Sequence, residues 1–307
     1  MPANKTSWYH LTAIFTSIVW GTTFVSTKVL IMKGLSPNEI FFLRFLLAYI
    51  GIWFFSPRIF MAQSIKDELL LAGAGLTGGS LYFILENTAL KITLASNVSL
   101  IICTAPILTA FLSSLVYKQE RIRKHLVYGS VVALAGVALV VFNGSFILQI
   151  NPLGDILTVL AALSWAFYGV IVKHLDRRYS ILFITRKVFF YGLITTIPFF
   201  FFSPLNPDVS VLLDPVVISN LIFLGLIASL LCFILWNTAV KQLGVIKTSN
   251  YIYLIPLVTL LTSVIVIDEK ITYIALLGSA LILCGVYVAE KGFRIRKKSG
   301  NCKLPVI

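Results

Sequence analysis

Long apolar runs separated by short breaks of charge, Pro and Gly fill the chain from end to end. Taken as insertion windows, they predict spans near 10–32, 38–56, 69–90, 94–116, 125–143, 152–173, 181–202, 216–240, 247–267 and 271–290. Each run is about 20 residues, the length a helix needs to cross roughly 30 Å of hydrocarbon. Barrel strands would be about half as long and would alternate in polarity, and this chain does not alternate. Because no water reaches the hydrocarbon, each backbone N–H and C=O must be paired within the protein, and helices do this. The longest connection, near 203–215, has no room for a folded soluble domain. The first span is too long for a signal peptide and lacks a small-residue cleavage site, so it is expected to be retained. The expected fold class is an all-α integral membrane protein with ten transmembrane helices.

Composition agrees. Apolar residues make up 58% of the chain and charged residues 12%, against about 25% charged in an ordinary soluble domain. The net charge of +13 resembles that of a nucleic-acid binder, but its distribution argues otherwise. Lys and Arg gather in the alternate loops that share a side with the N-terminus, including Arg121, Arg123 and Lys124, Arg177 and Arg178, and the tail from Lys291 to Lys303. The opposite loops hold Lys33, Lys91 and Lys270. This bias predicts that both termini are cytoplasmic, in a cell (inner) membrane. The tail then meets anionic lipid headgroups, and nucleic acid is excluded as a partner because no binding module accompanies the charge. Cys103, Cys232 and Cys284 sit inside apolar runs and Cys302 in the tail, without metal-ligand spacing, so no metal or other cofactor is expected.

The chain also repeats itself. Phe83-Ile-Leu-Glu-Asn-Thr-Ala-Leu-Lys91 in the third span matches Phe233-Ile-Leu-Trp-Asn-Thr-Ala-Val-Lys241 in the eighth, differing only at Glu86/Trp236 and Leu90/Val240. In the same order, Pro106 meets Pro256, Gly129, Ser130 and Gly136 meet Gly278, Ser279 and Gly285, and Trp20 and Lys28 meet Trp165 and Lys173. The pattern is a duplicated five-helix unit, with residues 1–146 and 147–292 as the two units and 293–307 as a basic cytoplasmic tail. Five is odd, so the second unit enters the membrane inverted, an architecture suited to alternating access around a central cavity.

Several segments together carry a family resemblance. They are Trp20-Gly21 leading to Lys28, Gly34-Leu-Ser-Pro37 before Arg44-Phe-Leu-Leu-Ala48, Asn87-Thr-Ala-Leu-Lys91, Pro106, and the Glu120-Arg-Ile122 exit echoed by Glu269-Lys-Ile271. The chain resembles the drug/metabolite transporter superfamily, in its EamA-type branch of ten-span, two-repeat proteins. That resemblance implies a helical basket around a central cavity and the export of amino acids or other small metabolites. The second half departs from the first in carrying Trp236 at the position of Glu86, and in lacking a Gly-Leu-Ser-Pro equivalent.

Polar groups inside a span cost about 2.5–3.5 kcal/mol at the helix centre on insertion scales, so they tend to face a cavity or a partner. Counting along each helix places Lys28, Arg44, Glu86, Asn87, Ser96 and Asn97 toward the outer face. Lys173, Arg186, Asn237, Thr248, Ser249 and Asn250 fall toward the inner face. Glu86, the acidic residue well inside a span, calls for a partner. Arg44 or Lys28, the ammonium of a substrate, or a coupling proton could each serve. Pro106 and Pro256 each remove a helix hydrogen bond and are expected to line the cavity as bending points. Trp20, Tyr82, Trp165, Tyr168, Trp236 and Tyr253 are candidates for an aromatic lining. The glycines of spans five and ten are read as close-packing positions. Convergent nucleophiles, metal ligands and paired carboxylates are all missing, which argues against an intramembrane enzyme. A filter-like sequence is missing too, which argues against a channel. The reading is a secondary exporter of small metabolites such as amino acids or related amines. An importer, a facilitator or a multidrug carrier is the alternative. Protons are the candidate coupling ion, and a monomer or weak dimer the expected assembly.

Overall fold

The computed structural model describes residues 3–56, 61–93, 95–117, 124–142, 152–267 and 273–291. The two Glu-led span exits and the tail lie outside these residues. Among the described residues the structure is all-helical, without strands. α1 is Ala3–Met32 and α2 is Pro37–Trp53. α3 spans Ile65–Ile92. α4 comprises Ala95–Ile102 and Ala105–Val116, and α5 is Lys124–Phe142. α6 is Pro152–Leu175, α7 is Ile181–Phe201 and α8 is Pro215–Leu243. α9 runs over 245–267 and α10 is Tyr273–Lys291. α1, α3, α6, α7 and α8 are each long and apolar enough to cross a bilayer.

Local chemistry sets the helix ends. Gly34 (φ 104°) and Gly244 (φ 90°) take left-handed backbone, after α1 and between α8 and α9, where a Cβ would be strained. Ser36 caps α2 in a capping box with Glu39, followed by Pro37 in the first turn. Ser180 caps α7 by accepting from Phe183 N at 3.3 Å. Outside the spans, Lys33 donates to Asp214 at 2.6 Å, tying the loop after α1 to the start of α8. The same hydrogen bond holds the Asp214 carboxyl below the usual carboxylate range.

Among the described residues four helices are interrupted: the breaks in α4 and α9 fall at the prolines expected to bend them, whereas the wide turns of α3 and α8 were not expected. α3 contains a wide, π-type turn over Leu76–Ser80, where Gly79 leaves helical dihedrals (φ −118°, ψ −107°). α8 contains a longer one over Phe223–Leu231. α4 breaks between Ile102 and Ala105, ahead of Pro106. α9 tightens into a 3₁₀ stretch over Asn250–Leu254, ahead of Pro256. Proline cannot supply the N–H that its helix needs, and its ring crowds the carbonyl four residues back, so both breaks fall just upstream of it.

The packing runs between the two halves of the chain. α5 and α10 lie face to face, and the glycines read as close-packing positions form the contact. A Cβ on Gly136 would stand 2.6 Å from the Gly278 carbonyl oxygen and 2.6 Å from Ile282 N. Gly285 is equally tight against Ala133. Across α3 and α7, a Cβ on Gly75 would fall 2.5 Å from Tyr191 Cβ. Across α8 and α2, a Cβ on Gly225 would fall 2.7 Å from Leu47 Cβ. Gly136→Leu is expected to wedge α5 from α10 and destabilise the protein by about 1–3 kcal/mol, read as a lower melting temperature of the detergent-solubilised chain. An unchanged melting temperature would mean that the helices do not pack through this face.

Candidate functional site

A cavity with about 440 Å³ of empty space, counting the part that opens outward, lies between α1, α2, α3, α4, α6 and α9. Its wall is Trp20, Thr23 and Phe24 of α1, Arg44 of α2, Tyr82, Phe83 and Glu86 of α3, Ile102 of α4, Trp165 of α6, and Ile252 and Ile255 of α9. On one face of α3, Tyr82 and Glu86 stand a turn apart, and the Tyr82 hydroxyl donates to Glu86 Oε1 at 2.9 Å. Arg44 donates from Nε to Ser229 Oγ at 3.0 Å, and its guanidinium carbon lies 4.2 Å from the Phe83 ring centroid. The Trp20 indole donates to the Ala228 carbonyl at 2.9 Å, and its ring meets Trp165 edge-on at 5.2 Å.

Below this wall the aromatic residues close up. Phe233, the repeat partner of Phe83, is fully buried. Its ring centroid lies 5.5 Å from Phe189, 5.8 Å from Phe45, 5.9 Å from Tyr168 and 6.4 Å from Phe83. Edge-to-face and tilted contacts of this kind add about 0.5–1.5 kcal/mol each beyond area burial.

Of the candidate residues, Trp20, Arg44, Tyr82, Glu86 and Trp165 stand on the cavity wall. The others sit elsewhere. Lys28 donates to the Leu90 carbonyl at 2.6 Å, at the C-terminus of α3, where unpaired carbonyls and the helix dipole favour a cation. No ion pair within 4.0 Å joins Glu86 to Lys28 or Arg44 among the described residues. Asn87 donates to the Pro37 carbonyl at 3.2 Å and pins α3 to the start of α2. Its repeat partner Asn237 donates to Thr185 Oγ1 at 3.0 Å and accepts from the Tyr168 hydroxyl at 2.7 Å, pinning α8 to α7 and α6. Trp236 packs against Trp20 at 4.9 Å rather than lining the space. Asn250 and Tyr253 are buried in the 3₁₀ stretch of α9. Pro106 and Pro256 sit in the first turns after the breaks, behind the wall, and the residues four positions earlier, Ile102 and Ile252, reach it. The side chain of Asn97 lies outside the described residues. Sequence reasoning missed Ile102 and Ile252, although the matching prolines marked both.

At the other end of α3, three cations of the second half are partnered by the first half. Arg178 bridges Asp67 at 3.0 Å, Lys187 pairs with Glu68, and Arg186 donates to the Ser56 carbonyl at 2.6 Å.

Apolar spanning helices around a small, partly charged cavity define a multi-pass helical membrane protein of transport type. The model of the EamA-like transporter family matches residues 7–142 and 152–290. The chain belongs to that family. It is 30% identical to a transporter of Archaeoglobus fulgidus over 91% of this chain and 96% of that one. It is 27% identical to an Escherichia coli protein named "Probable amino-acid metabolite efflux pump", over 93% and 95%. It is also 26% identical to a Streptantibioticus cattleyicolor protein named "Probable terminal-alkyne amino-acid exporter", over 98% of each. A solved crystal structure shares the fold at a TM-score of 0.68 and 20% identity, covering 92% of this chain and 96% of that one. Family and relatives are transporters, which points away from an enzyme.

Asn237→Ala removes the partner of two buried groups, Tyr168 OH and Thr185 Oγ1. The expected loss is about 1–3 kcal/mol for each group left unpaired, measured by thermal or denaturant unfolding of the solubilised chain. A loss below about 0.5 kcal/mol would show that water replaces the amide.

Proposed function

We propose that this chain is a secondary transporter that exports small metabolites, such as amino acids or related amines, by alternating access. In this reading ten spans form two inverted five-helix units, residues 1–146 and 147–292, around the cavity. Residues 293–307 form a basic cytoplasmic tail, and both termini face the cytoplasm of a cell membrane. The two separate stretches matched by the family model support the division. The printed names of the Escherichia coli and Streptantibioticus cattleyicolor relatives support an amino-acid-like substrate.

The observation that carries the reading is Glu86, beside Arg44 on the wall of a largely aromatic and aliphatic cavity, with one oxygen held by Tyr82 and the other without a hydrogen bond among the described residues. A buried carboxylate of this kind suits the ammonium group of a substrate or a coupling proton. Exchange between the two on one group is how a single carboxylate couples a proton gradient to efflux. The ion pairs of Asp67 with Arg178, just before α7, and of Glu68 with Lys187 of α7 would close the end of the molecule opposite Lys28.

Untargeted metabolite profiling of cells and medium, with the protein induced against empty vector and against Glu86→Ala, tests this. The expected result is a metabolite that accumulates in the medium with the intact protein, and whose efflux falls roughly tenfold or more in Glu86→Ala. Full efflux in both Glu86→Ala and Glu86→Gln would remove Glu86 from the mechanism. An unchanged medium despite verified membrane insertion would overturn export.

A further inference from the structure

Arg44 is a buried cation, 2% exposed, on the cavity wall. A guanidinium carries five N–H donors. Among the described residues only Nε is taken, by Ser229 Oγ. Among the described residues no carboxylate lies within 4.0 Å of Arg44, and its terminal nitrogens make no hydrogen bond. An unpaired buried charge is strongly unfavourable, so the free edge of the fork is a place for an anion. The guanidinium carbon over the Phe83 ring, 4.2 Å from its centroid, adds a cation–π contact that uses no N–H donor.

The cavity narrows the choice of anion. Two parallel N–H donors match the two oxygens of a planar carboxylate. A dianionic phosphate, although the same fork could hold it, would face the carboxylate of Glu86 in the same small space, where like charges repel. The remaining wall, with Trp20, Trp165 and Ile252, suits an apolar body.

The orientation of Arg44 depends on α8. Ser229 and its neighbour Ala228 lie in the wide turn of that helix, and they hold Arg44 and Trp20 respectively. π-type turns recur at functional sites and bend helices.

We propose that Arg44 is the anion subsite of the cavity, taking the carboxylate of the solute, and that Ser229 is the positioning residue that aims it. This rests on the transporter reading above. It makes the substrate class a zwitterion, with carboxylate on Arg44, ammonium on Glu86 and an apolar side chain against the tryptophans. Because Ser229 belongs to the wide turn, straightening of α8 would withdraw its hydroxyl and release Arg44.

The test uses the full chain reconstituted in liposomes loaded with L-leucine, L-phenylalanine and L-threonine together with their carboxamides. Release is followed by mass spectrometry at pH 6, corrected for protein-free liposomes. The wild type is expected to release each acid roughly tenfold or more faster than its amide, as loss of a charged hydrogen-bonded pair implies. Arg44→Gln should abolish that preference, and Arg44→Lys, which keeps the charge without the fork, should reduce it. Ser229→Ala should raise the acid concentration needed for half-maximal release severalfold and move the amide's much less. A purely structural role for Ser229 would shift both alike. Equal release of acids and amides by the wild type, or a preference that survives Arg44→Gln, overturns the subsite and leaves the exporter reading standing. No release of either probe above protein-free liposomes overturns the subsite and the amino-acid reading together.

Discussion

A helix in hydrocarbon satisfies its own backbone and leaves nothing for a partner to hold, so the structure depends on the places where that pairing fails. In the wide turn of α3, the Thr77 carbonyl accepts from Ser164 of α6 at 2.8 Å, and Ser80 meets Thr195 of α7 at 2.7 Å. In the wide turn of α8, the Ala228 carbonyl accepts from Trp20 of α1 and the Ser229 hydroxyl from Arg44 of α2. In each case the group offered by an interrupted helix is taken by the other half of the chain. The two proline breaks act through shape. They turn Ile102 and Ile252 onto the cavity wall, and Cys103 Sγ lies 3.8 Å from the Ile252 carbonyl across the seam.

The glycine seams follow from the same division. α5 against α10, α3 against α7 and α8 against α2 are all contacts between the first and second halves, and each is close enough that a Cβ would collide. In lipid there is little hydrophobic drive to bring helices together, so close van der Waals contact and interhelical hydrogen bonds carry the association. Neither half buries its own faces well. The cavity therefore forms at the seam, where both halves supply side chains and where a shift of one against the other would reshape it.

The apolar helices and the two proline breaks were legible because hydropathy and repetition are one-dimensional signals. So were the charges on the cavity wall, since Arg44 and Glu86 stand out in apolar runs. Direction was not legible. Asn87 and Asn237 are as conspicuous in the sequence as Glu86, yet they face helix–helix contacts, and Lys28 turns to the end of α3 instead of to Glu86. A polar residue in a span announces that it has a partner, and the sequence does not say on which side of the helix. The wide turns were hidden for a related reason. Leu76–Ser80 carries two glycines, which read equally well as packing positions, and Phe223–Leu231 is almost wholly apolar. The carbonyls they offer are taken by residues more than eighty positions away, which a local reading does not see.

The two halves supply different chemistry to one cavity. Aligning the helix caps Ser36 and Ser180 puts Val188 at the position of Arg44, and the matched third and eighth helices put Cys232 and Trp236 at the positions of Tyr82 and Glu86. A faithful duplicate would place two carboxylates and two guanidinium groups in one small, poorly solvated space, where like charges repel strongly. The structure instead keeps one charged wall, from α2 and α3, and sets Trp236 against Trp20 behind the other. A cavity with symmetric walls would accept a solute in either of two orientations. With charge on one side and indole and isoleucine on the other, an amphipathic solute has one favourable orientation, and a chain with a repeated sequence acquires a polarity that two matching halves would not supply.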